Sequence, residues 1–448
     1  MLPSTEVHLT AALAQAQIAG RLPSVVAGVL QDGRLAWSSG RGQHAFLDAG
    51  DRPHADMQYR IGSITKTFTA ALVLQLRDEG RLDLNDPVGK HVPEGPYEDR
   101  TLRSLLAHTS GMQAEPLGPW WERAPGVGYA EIADANSASG GVLPPGQQFH
   151  YSNLAFAVLG EVVARLRGCS WAEALHERLL RPLGMYRTTY AEQPPAAHGL
   201  AVDVLSGTLT PEPAYDSGAM APAGQLWSTV GDLATWMRTL ADPPADVLDA
   251  ESVHEMAIVQ STSTGEDLSG GYGLGLQMTG PGPRVLVGHG GSVPGFGAGM
   301  FVDRSTGVGA VVLCNGGYGL DATGLTRTMV DTVLEHEPAL PKEWLPTAAV
   351  SDRLAELLGT WHWGHMPFVM TTDGAHLVLE STSGQKSFRF RPEGTDTYVG
   401  LNGYHTGETL RVVRHDDGSV SHLDIATFVF TRSPYDPRAL TPAYPDAE

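Results

Sequence analysis

The sequence predicts an α+β protein: an antiparallel sheet carrying a helical subdomain, followed by a small, separate β-domain. Three observations predict it. Strand-like segments at 25–38 and 273–313 bracket a long stretch, 63–240, in which apolar residues recur at helical spacing. A segment with three prolines and little periodicity, 338–351, then interrupts the chain. Beyond it, short β-branched and aromatic runs alternate with turn residues. The predicted organisation is therefore a first domain over 1–337, a linker over 338–351 and a β-domain over 352–448.

Each element has its own signal. Val25–Leu30 and Leu35–Ser38, joined through Asp32-Gly33, form a hairpin. Helical periodicity covers Thr65–Arg77, Leu102–Ala107, Leu154–Arg165, Trp171–Leu180 and Val230–Leu240. Strands are expected at Gly273–Met278, Val285–Val287, Gly299–Val302 and Val308–Leu313, the last two flanking the turn Asp303-Arg304-Ser305-Thr306-Gly307. A helix near Thr323–Glu337 closes the first domain. A cleft between sheet and helices is where a site is expected. In the last domain, strand signals fall at Phe368–Thr371, His376–Glu380, Ser387–Arg391, Thr397–Gly400, Thr409–Arg414 and Ala426–Thr431, a pattern of a small meander or barrel.

Composition bounds the partners. Across 448 residues the chain is 42 % apolar and 18 % charged, ordinary for a globular protein with ample core. A formal net charge of −20 argues against nucleic acid or an anionic membrane as partner. Cys169 and Cys314 make no disulfide framework and are expected as buried thiols. The N-terminus lacks the basic-then-apolar layout of a signal peptide and no run approaches a membrane span, so the expected location is cytoplasmic. No phosphate loop, dinucleotide fingerprint or zinc spacing is present, and no cofactor or metal is expected; His362 and His365 lack a further ligand, and Asp83–Pro87 lacks the calcium-loop glycine.

The stretch that carries chemistry is Ser63-Ile64-Thr65-Lys66. Lysine occurs only four times in the chain, at Lys66, Lys90, Lys342 and Lys386, against 26 arginines. Positions i and i+3 share a helix face, so the Lys66 amine can stand beside the Ser63 hydroxyl. A serine becomes a nucleophile only beside a base, and an amine serves when burial keeps it partly neutral; arginine cannot. Taken alone, the pair also fits a surface lysine after an N-cap serine. Three more segments bear on the choice. In Leu143–Asn153 a tyrosine and an asparagine stand two apart, Tyr151 and Asn153, and project the same way if the backbone is extended. By themselves Tyr151 fits core packing as well, and Asn153 a helix N-cap. Gly288-His289-Gly290-Gly291-Ser292 opens a glycine-rich strand that a substrate can approach closely. Leu105–Met112 is a helix end followed by a turn, with His108 a structural histidine there.

Together, S-x-x-K, LL-x-H-T-S-G, PG-x-x-F-x-Y-S-N and HGG, in this order from about Val25 to Leu334, resemble the serine family of penicillin-binding proteins, class C β-lactamases and related esterases, D-amino-acid peptidases and acyltransferases. The resemblance implies a β-lactamase/transpeptidase-like fold. It implies Ser63 as the nucleophile of an acyl-enzyme, Lys66 as its proton acceptor or orienting group, and Tyr151 as the proton shuttle to the leaving group. Asn153 would hydrogen-bond Lys66 and a substrate carbonyl, and the Ser63 and Ser292 N–H groups would form the oxyanion hole, with Gly290 and Gly291 beside it. Where the β-lactamase pattern has the lysine of K-T-G, this chain has His289, whose ordinary pKa near 6.5 gives little fixed charge at neutral pH. That favours ester, amide or peptide substrates over β-lactams, and His289 can also hydrogen-bond Tyr151. Trp120, Trp121 and Trp227 line the cleft or pack the core.

The added β-domain resembles the lipocalin-like extension of some D-aminopeptidases and of penicillin-binding-protein-type thioesterases, which release and cyclise nonribosomal peptides ending in a D-residue. The expectation is a serine acyl-enzyme hydrolase or acyltransferase of that last kind, acting on a peptide or ester substrate, with a peptidyl carrier protein as a further partner. The alternatives are a D-stereospecific aminopeptidase or amidase, a class C β-lactamase-like esterase and, more remotely, a non-catalytic peptide-binding module.

Overall fold

The computed structural model describes residues 1–45, 52–137, 141–262, 270–280, 284–316, 319–338, 340, 343 and 349–435. It divides into two compact units, Met1–Ala339 and Leu340–Glu448. Most of the expected linker over 338–351 lies outside the described residues.

The first unit is built on an eight-stranded antiparallel sheet. Its strands run in the spatial order Arg34–Gly42, Ser24–Gln31, Gly309–Cys314, Phe296–Val302, Val287–Val293, Gln277–Thr279, Gly270–Tyr272 and Ser261–Thr262. The hairpin at its start turns on Asp32 and Gly33, with φ of 52° and 71°. Two successive positive φ values are what a two-residue turn matched to strand twist requires, and Asp-Gly supplies them at low cost. The Asp303–Gly307 turn likewise joins two paired strands, with Asp303 accepting from the Ser305 N–H.

Alternation along the strands divides the core in two. Val25, Ala27, Val29 and Val312 face one side, where Pro3–Ala19 and Ala322–His336 cover them through Leu9, Leu13, Met329 and Val333. Val26, Leu30, Val311 and Leu313 face the other side, against the helical subdomain. At its centre runs Thr65–Asp78, with Phe68 stacked on Trp236 of the Val230–Ala241 helix at 4.3 Å. Against it lies Asn153–Arg167, whose inner residues are also buried.

The structure departs from the sequence expectation in definable places. Pro3–Ala19 was not expected as a helix: only Leu9 and Leu13 are its buried apolar residues, too few to make a periodic stripe. Gly273–Met278 is not one strand: its first four residues turn between Gly270–Tyr272 and Gln277–Thr279, and only Gln277 and Met278 lie in a strand. Of Val285–Val287, only Val287 is in a strand. Cys314 is buried, as expected, but Cys169 is exposed, because it follows the helix-ending Gly168.

The second unit is a closed barrel of eight strands in consecutive order, from Gly359–Trp363 to Phe428–Thr431. Two strands lacked a clear signal, Gly359–Trp363 and Val420–Ile425, the latter because polar residues interrupt its apolar alternation. Trp361, Phe368, Leu379, Phe390, Leu410 and Leu423 fill its core. Among the described residues no helix is long and apolar enough to cross a membrane.

Candidate active site

Ser63 occupies a single 3-10 turn, Gly62–Ile64, that leads into the Thr65–Asp78 helix. Gly62 has φ of 49°, and a Cβ there would come 2.8 Å from the Ser292 backbone nitrogen, so a side chain would push the serine turn off the sheet. Ser63 is half-buried at the helix start, whereas Lys66, one turn on, is wholly buried. The Lys66 Nζ has three neighbours: Ser63 Oγ at 3.0 Å, Asn153 Oδ1 at 2.6 Å and the Ala223 carbonyl at 2.7 Å. Burial drives its pKa down to about 7, against the pull of Glu115 and Glu122, which favour the ammonium.

Tyr151 and Asn153 arrive from one short segment: Ser152 between them is extended, with φ of −136° and ψ of 115°, as their spacing suggested, and the helix starts only at Asn153. Asn153 is the first residue of the Asn153–Arg167 helix, and the N-cap is Ser152, whose Oγ accepts from the Ala155 N–H at 3.1 Å. The Asn153 amide is fixed at both ends: Oδ1 accepts from Lys66, and Nδ2 donates to Glu115 Oε1 at 2.7 Å. The Tyr151 ring centroid lies 4.9 Å from the Lys66 amine. Burial raises the Tyr151 pKa, and the nearby Ser63 hydroxyl only partly offsets this, so the phenol stays protonated at neutral pH.

His108 packs under Tyr151 with ring centroids 4.2 Å apart. Its Nδ1 accepts from the Ser152 N–H at 3.1 Å, its Nε2 has no partner among the described residues, and burial holds it neutral with a pKa well below the usual value. The structural role expected of His108 is thus a specific one, the seat of the segment that carries Tyr151 and Asn153.

The strand Val287–Val293 runs beside the Ser63 turn. A Cβ on Gly291 would stand 2.0 Å from the Ile61 carbonyl oxygen and 3.3 Å from Ser63 N, so this glycine is what permits the close approach. Gly290 and Gly291 are half-buried, and Ser292 is exposed. Gly290 N–H donates to Gln277 Oε1 at 2.9 Å. His289 does not pair with Tyr151. Its side chain is buried, with Nε2 3.0 Å from the Tyr272 hydroxyl and Nδ1 2.5 Å from the Gly290 carbonyl. Burial lowers its pKa to about 3, so the ring is neutral.

The structure therefore gathers Ser63, Lys66, Tyr151 and Asn153 around one amine and sets His289, Gly290, Gly291 and Ser292 along the adjoining strand. Four further residues were missed. Tyr272 anchors His289; Glu115 bonds Asn153 and accepts from Trp121 Nε1 at 2.7 Å; Glu122 accepts from Trp120 Nε1 at 3.0 Å; Arg60 is buried near Glu122. No local sequence signal marked these residues, because they meet the site only in the folded chain. Of the three tryptophans, Trp121 and Trp227 are buried, while Trp120 is exposed and lines a cavity of about 290 Å³ with Glu122, Glu212, Ser292 and Gly295. A larger cavity of about 900 Å³ lies by Tyr129, Gly160 and Trp171, and neither Ser63 nor Lys66 lines it.

Comparison with known proteins places this geometry. Residues 350–432 match a domain of unknown function, DUF7586. The D-alanyl-D-alanine-carboxypeptidase/endopeptidase AmpH of Escherichia coli K12 is 33 % identical over 201 residues, covering 42 % of this chain and 50 % of that protein. The chain spans about half the length of the curated relatives it matches first. Among solved structures, a D-stereospecific amidohydrolase from a Streptomyces species superposes with a TM-score of 0.62 at 27 % identity, covering 75 % of this chain and 99 % of its own. SurE, also solved with D-Leu, gives a TM-score of 0.61 at 25 % identity and covers 96 % of this chain and 99 % of its own. Residues 9–334 match the family described as Beta-lactamase, and the chain belongs to that family of serine hydrolases.

Proposed function

We propose that the protein transfers a peptidyl group through an acyl-enzyme on Ser63, and that its substrate is a peptide ester, thioester or amide ending in a D-residue. The observation that carries this reading is the hydrogen bonding of Lys66. Two of its three neighbours, Asn153 Oδ1 and the Ala223 carbonyl, can only accept. A neutral amine spends its two N–H groups on them, and its lone pair is left facing Ser63 Oγ at 3.0 Å. An amine with a pKa of about 7 is neutral in half the molecules at neutral pH, so the base needs no further activation.

The steps follow from these roles. Ser63 gives its proton to Lys66 as Oγ attacks the acyl carbon, and the Ser63 and Ser292 N–H groups stabilise the oxyanion. The proton then passes from Lys66 through the Tyr151 phenol to the leaving group, which departs as an alcohol, thiol or amine. Water or an amine next attacks the acyl-enzyme by the same path in reverse and frees Ser63.

The rim favours substrates with an amine. Glu115 and Glu122 stand near the Lys66 amine, and His289 is neutral and turned into the core, so a ligand carboxylate gains little here and an ammonium gains more. The likeness to SurE, solved with D-Leu and extending over both domains, supports a D-residue. The two-domain layout with a lipocalin-like barrel, together with the amine-favouring rim, supports the thioesterase-cyclase form of the reading: a peptide delivered by a carrier protein in the cytoplasm and closed on its own N-terminus. The likeness to the D-stereospecific amidohydrolase, confined to 75 % of the chain, supports simple hydrolysis instead. A linear peptide thioester with a C-terminal D-residue decides between them. Cyclic product from the free-amine peptide, lost on N-acetylation, supports cyclisation; linear acid alone supports hydrolysis. Absence of a mass adduct on Ser63 with either peptide removes the acyl-enzyme itself.

A further inference from the structure

The barrel carries a pocket that the acyl-transfer chemistry does not use. Eight strands leave four connections at one end, and each supplies a residue to the pocket: Trp363 from the first, Lys386 from the second, Tyr404 and His405 from the third, and Phe428 at the close of the fourth. Phe368, Phe388 and Phe430 form the floor, and all three are buried in the barrel core. The barrel interior below is filled by side chains, so the cavity is confined to this mouth, at about 230 Å³. An apolar cavity of about 150 Å³ is enough for a benzene ring.

The walls are aromatic and arranged to take another ring. Trp363 and Phe428 have centroids 5.0 Å apart, Phe388 and His405 4.7 Å, and Tyr404 stacks on Phe428 at 5.7 Å. Tyr404 is 73 % exposed although its ring is the outer wall, which leaves a large apolar face wet when the pocket is empty. One cation stands at the rim. Lys386 Nζ lies 5.0 Å from the Trp363 ring centroid, and no carboxylate among the described residues comes within ion-pair distance of it. In a chain with four lysines and an excess of acidic groups, an unpaired lysine over an aromatic box is a marked local reversal of charge.

We propose that this end of the barrel binds an aromatic carboxylate, with the ring between Trp363, Tyr404 and Phe428 and the carboxylate on Lys386. Ring stacking supplies affinity, and a charge-assisted hydrogen bond to the ammonium supplies selection for the acid. The group can be a free aromatic acid or the C-terminal residue of a peptide, since both present the same ring and carboxylate.

Titration calorimetry on the full-length protein tests this with 3-phenylpropanoate, its primary amide, and N-acetyl-Gly-Gly-Phe as acid and as amide. The expected result is that an acid binds about tenfold more tightly than its amide. Lys386→Met brings the acid to the level of the amide, and Tyr404→Ala weakens both. Whichever acid binds more tightly identifies the free or peptide-borne source. Equal affinity of acid and amide in the unmodified protein overturns the proposal without recourse to any variant. So does the absence of binding up to millimolar ligand, or binding that neither substitution changes.

Discussion

Tyr272 donates its hydroxyl hydrogen to Nε2 of His289 across 3.0 Å. The direction is fixed by the other ring nitrogen: Gly290 offers only a carbonyl to Nδ1, so Nδ1 carries the hydrogen and Nε2 is the acceptor. A histidine whose pKa is lowered to about 3 cannot supply a second hydrogen at working pH. His289 is therefore a neutral strut that ties the Val287–Val293 strand to Gly270–Tyr272, next to the Gly290–Ser292 backbone that lies against the serine turn. Tyr272→Phe leaves Nε2 buried without a partner. The expected cost is about 1–3 kcal/mol of unfolding free energy, seen as a lowered urea midpoint, with fluorophosphonate labelling of Ser63 slowed less than about tenfold. An unchanged midpoint would show that the hydrogen bond holds nothing in place.

The pH dependence of acylation follows from Lys66. In the proposed mechanism its amine accepts the Ser63 proton only when neutral, so kcat/KM is expected to rise through about pH 7 as a single ionisation and then level. The raised Tyr151 phenol adds no descending limb within the ordinary tyrosine range. Glu115 favours the charged amine, so Glu115→Gln moves the rising limb to lower pH. A limb centred near pH 4 to 5, or one that Glu115→Gln leaves in place, assigns the base elsewhere.

The same amine makes a stability prediction with the sign fixed. Its folded pKa of about 7 lies below the ordinary value of 10.5, so between these pH values the unfolded chain binds the proton and the folded chain does not. Stability therefore rises with pH across this window, and the cost of burial is largest below pH 7. Comparing urea unfolding at pH 7 and 9.5, the native protein gains on the order of 2–3 kcal/mol relative to Lys66→Met. The broken contacts to Asn153 and Ala223 lower the variant at both pH values alike, so the difference in slope isolates the amine.

What the sequence revealed follows the chemistry. That Ser63, Lys66 and Tyr151 come together was legible because few residue types suit the proposed roles of nucleophile, neutral base and phenol, and their order along the chain is restrictive. The hairpin at Asp32-Gly33 was legible because two positive φ values demand that dipeptide. Tyr272 was not, since its partner is 17 residues away across a strand pair and nothing local marks it. Glu115 was hidden for the same reason: it sits in an irregular segment and meets Asn153 and Trp121 only in the folded chain. The extended backbone that the Tyr151–Asn153 spacing suggested is present at Ser152, but the helix that Ser152 caps from Asn153 onward was not legible at that residue. Helix Pro3–Ala19 was hidden by its own composition, since alanine and glutamine form helices without an apolar stripe.

The close approach at Gly291 separates a needed glycine from an incidental one. A methyl group there has no room: it would stand 2.0 Å from the Ile61 carbonyl oxygen and 2.9 Å from its carbon, both backbone atoms that no rotamer change can clear. The strand must retreat from the Ser63 turn, and the Ser292 N–H retreats with it. At Gly290 the nearest atom to a new methyl is Gln277 Oε1 at 3.6 Å, an ordinary contact. Gly291→Ala is therefore expected to cost about 1–3 kcal/mol of stability and to slow Ser63 acylation by about a hundredfold or more. Gly290→Ala should leave both nearly unchanged. Stopped-flow acylation with an activated ester, read beside denaturant midpoints, separates the two effects. If Gly291→Ala loses stability but acylates at the native rate, the Ser292 N–H is not part of the oxyanion site.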